Sequence, residues 1–210
     1  MNPVRMRAEA ISTEQLQVYR ALIDGVVEGG VIPEIDALAV ATGLSAHRTT
    51  EILDELAAAD WIGRSPDGAV VALYPFSPTP TGVVVELDGH RLQTMCALDA
   101  LGVGPMFDRT VQVTSTCVQC GAPIEVTVSP AGPVAWSPPD VVATSRPTDA
   151  SAYASCCHVT RFACTAEHAW AWIDANGMAG DLILPLPDAF QIGARLFATC
   201  YSHGQSVCRD

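Results

Sequence analysis

The chain contains no lysine; all eleven of its cations are arginine. A Schiff-base amine and a lysine clamp on phosphate are therefore excluded as its chemistry. Charge of either sign is scarce, at 16% of residues, and acid outweighs base to leave a net charge of -12. Nucleic-acid binding draws most of its affinity from cations placed on phosphate, so no nucleic-acid partner is expected. No apolar run approaches the roughly 18 to 20 residues that cross a bilayer, and no membrane partner is expected either. A Walker A loop, a G-x-G-x-x-G motif, internal repeats and low-complexity tracts are all missing.

What is present is apolar. Hydrophobic residues make up 49% of 210, enough for one large core or two modest ones. Eight cysteines would suggest a disulfide scaffold in a short secreted chain. The opening MNPVRMRAEAISTEQL has no apolar stretch before a cleavage site, so reduced thiols and a cytoplasmic location are expected.

The most informative stretch is Arg91 to Leu101, RLQTMCALDAL. Read as a helix, it places Leu92, Met95, Cys96 and Asp99 on one stripe, so a carboxylate stands where the pattern wants an apolar residue. A carboxyl deprived of water holds its proton more tightly, as proton-transfer groups require, and a soft sulfur ligand lies beside it. The plainer reading is a buried small cysteine and a capping or ion-paired aspartate.

Along the chain, residues 13 to 29 read as a capped amphipathic helix with Leu16, Tyr19, Leu22, Ile23 and Val26 inward, closed by Gly29 and Gly30. A helix over 34 to 42, a turn at Gly43, a helix over 45 to 59 and a hairpin around Pro66-Asp67-Gly68 follow, an order that resembles a winged helix-turn-helix. Residues 1 to 80 hold five Arg against eleven Asp and Glu, so this N-terminal domain reads as a lid or packing unit that does not bind DNA. The Pro-rich PFSPTPTG, 75 to 82, marks a boundary with a second domain, 81 to 210. There, VVVEL and the turn Asp88-Gly89 lead into the helix bearing Cys96, and 110 to 116 pairs with 123 to 128 as a hairpin. Residues 129 to 150 read as loop with one or two short strands, 153 to 164 as a strand, 165 to 176 as a helix, then DLILPL as a strand and PDAFQIGARLFATCY as a helix. The fold class expected is α+β, with the winged-helix-like unit packed on a domain of antiparallel strands and helices.

Three chemistries compete for the cysteines. Cys117-x2-Cys120 is half of a zinc-knuckle spacing, with Cys156, Cys157, His158 and Cys164 as candidates for the remainder, although these fall in an apparent strand. Cys-His nucleophilic catalysis finds no histidine singled out by spacing among His47, His90, His158, His168 and His203. A soft-metal site would use Cys96, Asp99 and one of Cys156 and Cys157.

The segments DGHRLQTMCALDALGVGPMFDRTVQVTSTCVQCGAPIEVTVSP, SCCHV and AEHAWAWIDANGMAGDLILPLPDAFQIGARL resemble the organomercurial (alkylmercury) lyase family over about residues 83 to 197. A winged-helix-like N-terminal part belongs to that family as well. The resemblance implies protonolysis of a carbon-mercury bond, which yields a hydrocarbon and Hg(II), as part of mercury detoxification. The cysteine of CALD is Cys96, its aspartate is Asp99, and the first cysteine of the CC pair is Cys156; these three are the implied catalytic residues and the ligands of the Hg(II) product. Cys117 matches a cysteine that the family keeps for structure. Met95 stands where the family often has an aromatic residue, and Cys120, Cys164, Cys200 and Cys208 lie outside its catalytic set. No bound cofactor is implied, with a low-molecular-weight thiol as co-substrate. The partners implied are organomercurials, thiols that accept Hg(II), and a mercuric reductase as a candidate acceptor. The rival function is a non-catalytic soft-metal-binding or sensory protein.

Overall fold

The computed structural model describes residues 11–146, 152–178 and 180–197. Cys200, His203 and Cys208 lie outside the described residues.

The first helix, α1 (Thr13–Gly29), opens with a capping box, in which the Gln15 amide donates to the Ser12 hydroxyl (3.2 Å) and the Ser12 amide donates to the Gln15 side chain (2.7 Å). Gly30, at φ 71°, closes it in the left-handed conformation that glycine adopts without strain. Val18, Tyr19, Leu22, Ile23 and Val26 are buried, whereas Leu16 is only half-buried. Next come α2 (Ile35–Thr42), α3 (Ala46–Ala58), β1 (Ile62–Arg64) and β2 (Val70–Leu73), the last two paired antiparallel across Pro66-Asp67-Gly68. Arg48 of α3, the cation that a DNA-reading helix would present, donates instead to Glu14 (2.9 Å), Glu51 (3.2 Å) and Glu55 (2.9 Å).

The first half of the Pro-rich connector is buried. Phe76 is 1% exposed and bridges to both Leu73 and Thr94, the Tyr19 hydroxyl donates to the Tyr74 carbonyl (2.6 Å), and the Met95 amide donates to the Pro75 carbonyl (2.9 Å). One continuous apolar cluster runs from Val18 and Tyr19 through Tyr74 and Phe76 to Leu101 and Phe197.

Beyond the connector, β3 (Val84–Leu87) turns at Asp88 (φ 49°) and Gly89 (φ 86°) into β4 (His90–Gln93). Two successive positive φ values match the twist of a two-residue hairpin, so Arg91–Gln93 is strand rather than the helix expected from the sequence. The helix α4 (Ala97–Phe107) starts only after Cys96. It is buried on every side, so it is a core helix with no solvent face and the single amphipathic stripe does not exist.

Strands β5 (Val111–Thr116), β6 (Pro123–Ser129) and β7 (Gly132–Ser137) complete a five-stranded antiparallel sheet in the order β4-β3-β5-β6-β7. Val111, Val113, Ile124, Val126 and Val128 point to the core while Gln112 and Glu125 point to solvent, the alternation of a half-buried sheet. Next, β8 (Val142–Ser145) is followed by α5 (Ala152–Ser155), β9 (Phe162–Ala163), α6 (Ala166–Ala175), β10 (Leu182–Pro185) and α7 (Leu186–Phe197). The second sheet has the order β10-β8-β9, again antiparallel. The fold is therefore α+β.

A second correction falls on 153 to 164. Only Phe162–Ala163 is strand, because the amides of Cys156 and Cys157 both donate back to the Ala152 carbonyl (3.0 Å each) and Thr160 donates to Cys156 (2.9 Å). Small residues with no two-residue alternation let the backbone close on itself.

Helices α4 and α7 cross at two glycines. A Cβ on Gly102 would sit 2.6 Å from the Gly193 carbonyl oxygen and against the Phe197 ring, and one on Gly193 would meet the Leu98 carbonyl. Gly193→Ala should therefore push α7 off α4 and cost about 1–3 kcal/mol, as overpacking of a filled core does. Thermal unfolding would show it as a midpoint lowered by roughly 2–4 °C per kcal/mol for a chain of this length; an unchanged midpoint would refute the close crossing.

Candidate active site

Cys96 is the N-cap of α4, in extended backbone at φ -157° and ψ -179°. Its sulfur accepts a hydrogen bond from the Asp99 amide, three residues on (3.5 Å). The spacing is that of a capping box in which Cys replaces Ser and Asp replaces Glu. Thus the thiol and carboxylate expected to share a helical stripe do meet, through the start of the helix rather than along its face. Cys96 is 4% exposed and Asp99 2%.

The third group comes from the turn after α5. The Cys157 thiol points at the Asp99 carboxylate, Sγ to Oδ2 4.0 Å, and Cys157 is also buried. One ligand atom each from Cys96, Asp99 and Cys157 lies within 4.8 Å of the other two. Cys156 is half-buried and is not in that group. Neighbouring residues in a turn cannot face one way, so only one of the pair addresses Asp99 in this conformation. The turn is held from three directions. Ala97 donates to the Thr160 carbonyl (3.2 Å), the Thr144 hydroxyl donates to the Val159 carbonyl (2.7 Å), and Arg161 donates to the Thr81 carbonyl (2.8 Å).

Burial pushes the Cys96 thiol up to about 11, and the Asp99 charge adds to the rise against the opposing hydrogen bonds from Cys157 and the Asp99 amide. Cys157 is raised as well, by its hydrogen bonds with Cys156 and Cys96 and then by burial. At neutral pH, Cys96 on its own would be thiolate in only about one molecule in 10⁴. A sulfur at this site becomes a nucleophile when a neighbouring base takes its proton.

A second group comprises Cys117, Cys120, Cys164 and His168, again with ligand atoms within 4.8 Å of one another. It divides the cysteines differently from the sequence reading. Cys156, Cys157 and the exposed His158 do not join Cys117 and Cys120; Cys164 does, and His168 completes the set. The missed signal was Cys164-x3-His168, spanning Thr165, whose hydroxyl accepts from the His168 amide and caps α6.

Two thiols and a carboxyl gathered away from water define a thiol centre suited to a thiophilic metal substrate and a proton transfer. Residues 76–198 match the family described as MerB, alkylmercury lyase. An alkylmercury lyase of Staphylococcus epidermidis is 29% identical over 200 residues, covering 94% of this chain and 88% of that protein. Those of Pseudomonas putida and Bacillus cereus are 32% and 30% identical, covering 75% and 90% of this chain and 73% and 84% of theirs. Among solved structures, the mercury-bound form of MerB2 shares the fold at a TM-score of 0.78, with 24% identity and coverage of 95% of this chain and 97% of that one. The chain belongs to the alkylmercury lyase family, enzymes that cleave carbon-mercury bonds. Among the described residues, no helix is long and apolar enough to cross a membrane.

The burial pattern sets an order of thiol reactivity. Under native conditions at pH 7.5, iodoacetamide should modify Cys156 at least tenfold faster than Cys96 or Cys157, and peptide mass spectrometry over a time course reads the order. Equal rates would contradict the burial described above.

Proposed function

We propose that the protein is an organomercurial lyase in which Cys96 and Cys156 bind mercury and Asp99 carries the proton. The observation that supports this most is the Asp99 carboxylate, enclosed with Cys96 and the end of the CC turn. Asp99 accepts the proton of an attacking thiol as sulfur bonds to mercury and the exchangeable ligand of the organomercurial departs. The departed ligand, an anion, carries off the proton of the second thiol as that sulfur joins mercury, and with two thiolates on the metal electron density moves toward the bound carbon. Asp99 then returns its proton to that carbon; the C–H bond forms as the C–Hg bond breaks, and the hydrocarbon leaves. Hg(II) stays on the two sulfurs until small thiols displace it and reprotonate the cysteines, with a mercuric reductase as a further acceptor.

Cys156 is the more accessible sulfur of the pair and suits capture of the incoming compound, after which the turn must rotate it toward Cys96. A second reading assigns the inner role to Cys157, because it is Cys157 whose sulfur faces Asp99. We take residues 1–80 as a winged-helix-like domain kept for packing rather than DNA binding, on a catalytic domain of residues 81–210. Its Asp60 carboxylate accepts from the Ala152 amide (3.0 Å) at the start of the turn that carries the CC pair. A thiol-dependent cycle of this kind fits the reducing cytoplasm.

Incubation with phenylmercury and excess small thiol should release benzene over many equivalents, and Cys96→Ala should abolish release. Cys156→Ser should be inactive and Cys157→Ser active; the reverse result selects the second reading. One stoichiometric capture of mercury by the wild type, without benzene, would mark a metal-binding protein instead.

Asp99→Asn separates capture from cleavage. Hydrocarbon release should fall by about 10²–10⁴, the usual contribution of a positioned acid. Transfer of mercury to Cys96 should become steeply pH-dependent, since below a thiol value of about 11 the Cys96 thiolate population rises tenfold per pH unit. Stopped-flow measurement of that transfer between pH 7 and 9 would show a slope near one in the variant and a shallower one in the wild type; identical slopes would remove Asp99 as the base.

A further inference from the structure

We propose that Cys117, Cys120, Cys164 and His168 form a structural zinc site that joins the five-stranded sheet to the start of α6. Three thiolates and an imidazole make a closed tetrahedral donor set, the kind that structural zinc sites use and that leaves no position open for catalysis. With zinc-sulfur bonds of about 2.3 Å and a zinc-nitrogen bond near 2.0–2.1 Å, tetrahedral geometry requires S···S near 3.8 Å and S···N near 3.6 Å. The sulfurs of Cys120 and Cys164 are 3.7 Å apart, and Cys117 Sγ is 3.6 Å from His168 Nδ1. Cys164 Sγ is nearer to His168 Nδ1, at 2.9 Å, and opens by less than an ångström to admit the ion.

The surroundings are also those of a metal cage. The Cys164 amide donates to the Cys117 sulfur (3.3 Å), which orients the thiolate as outer-shell donors orient metal ligands. The Cys117-x2-Cys120 turn is itself closed by Gly121 donating to the Cys117 carbonyl (2.9 Å), and Cys117 donates to the Ala122 carbonyl (2.8 Å). Cys117 and Cys164 are buried, His168 is half-buried, and Cys120 is exposed, which supplies an entry path. The ligands come from segments 44 to 51 residues apart in sequence. A metal therefore reinforces a junction that the Val118 amide makes with the Phe162 carbonyl of β9 (3.0 Å) and the Cys164 amide makes with the Cys117 sulfur (3.3 Å).

The site shares no residue with Cys96, Asp99, Cys156 or Cys157, and its test is independent of the lyase reaction. Full-length protein purified under reducing conditions without chelator should carry close to one zinc per chain by elemental analysis. Cys120→Ser and His168→Ala should lower zinc affinity at least tenfold in competition with a chromophoric chelator, whereas Cys96→Ala should leave it unchanged. Cobalt-loaded protein should show the intense visible bands of a tetrahedral thiolate complex, and His168→Cys should retain metal with those bands shifted. Chelator should lower the thermal midpoint of the wild type and not that of Cys120→Ser, which remains folded because its hydroxyl faces solvent. The proposal is overturned by protein that takes up no zinc at micromolar free ion. Zinc lost in Cys96→Ala but kept in Cys120→Ser, or a Cys120–Cys164 disulfide in reduced preparations, would overturn it equally.

Discussion

Everything at the thiol centre depends on where one helix begins. A helix N-terminus exposes amides with no partner inside the helix, and in α4 that end is deep in the core, where water cannot satisfy them. The Cys96 sulfur takes the Asp99 amide, and that single bond sets the thiol and the carboxyl side by side without a loop to hold them. Because α4 is apolar on every side, it cannot slide or rotate without exposing core residues. Its axis is fixed by the glycine crossing with α7, and its start by the bond from Met95 to Pro75. The buried connector is thus part of the apparatus that positions the thiol, and the apolar cluster extends from α1 to α7 for the same reason.

The polar cost of this arrangement lies in the sulfurs. Removing a thiol from water favours its neutral form, so burial both shields Cys96 and quiets it. A site with the proposed role, attack on a soft electrophile without reaction with small oxidants and alkylators, would gain from that combination. Reactivity is then conditional on a partner able to accept the proton, and the carboxyl enclosed with Cys96 and Cys157 is within 4.0 Å of one sulfur and bonded through its amide to the other. Cys156 differs from both, being half-buried at the outer side of the turn.

The elements with strong local signals could be read from the sequence. The capping residues of α1, the glycines that end α1 and α2, the Asp88-Gly89 turn and the alternating β5–β6 hairpin follow from backbone chemistry within a few residues. Cys96 and Asp99 were identified as a pair because an acid among apolar residues is conspicuous whatever the backbone does. The helix expected from Arg91 starts six residues later, at Ala97, since Leu92 and Met95 have the same spacing in a buried strand end as on a helical stripe. The segment 153 to 164 departs from the expected strand for a related reason: small residues such as Ala, Ser and Cys do not report a period, and the turn there is set by contacts with Thr144, Thr81 and Asp60, all distant in sequence. His168 does not stand out in the sequence because Cys117 and Cys120 lie on the distant β5–β6 hairpin, and only tertiary structure brings Cys-x2-Cys and Cys-x3-His together.

The two cysteine groups show how similar ligands are directed to different ends by the company they keep. Around Cys117 the neighbours are amide N–H groups and an imidazole, which stabilise a thiolate permanently and have no proton to deliver to a substrate carbon. Around Cys96 the neighbours are a carboxyl and protonated sulfur, which hold a proton in place until it can be used. A mercury enzyme faces a particular hazard, since every free thiol competes for its product. With four donors tied to a resident ion, Cys117, Cys120 and Cys164 are withdrawn from that competition, and the thiols left among the described residues are Cys96, Cys156 and Cys157, all at or next to the carboxyl. On the proposed mechanism, Hg(II) formed there would meet first the sulfurs from which small thiols could remove it.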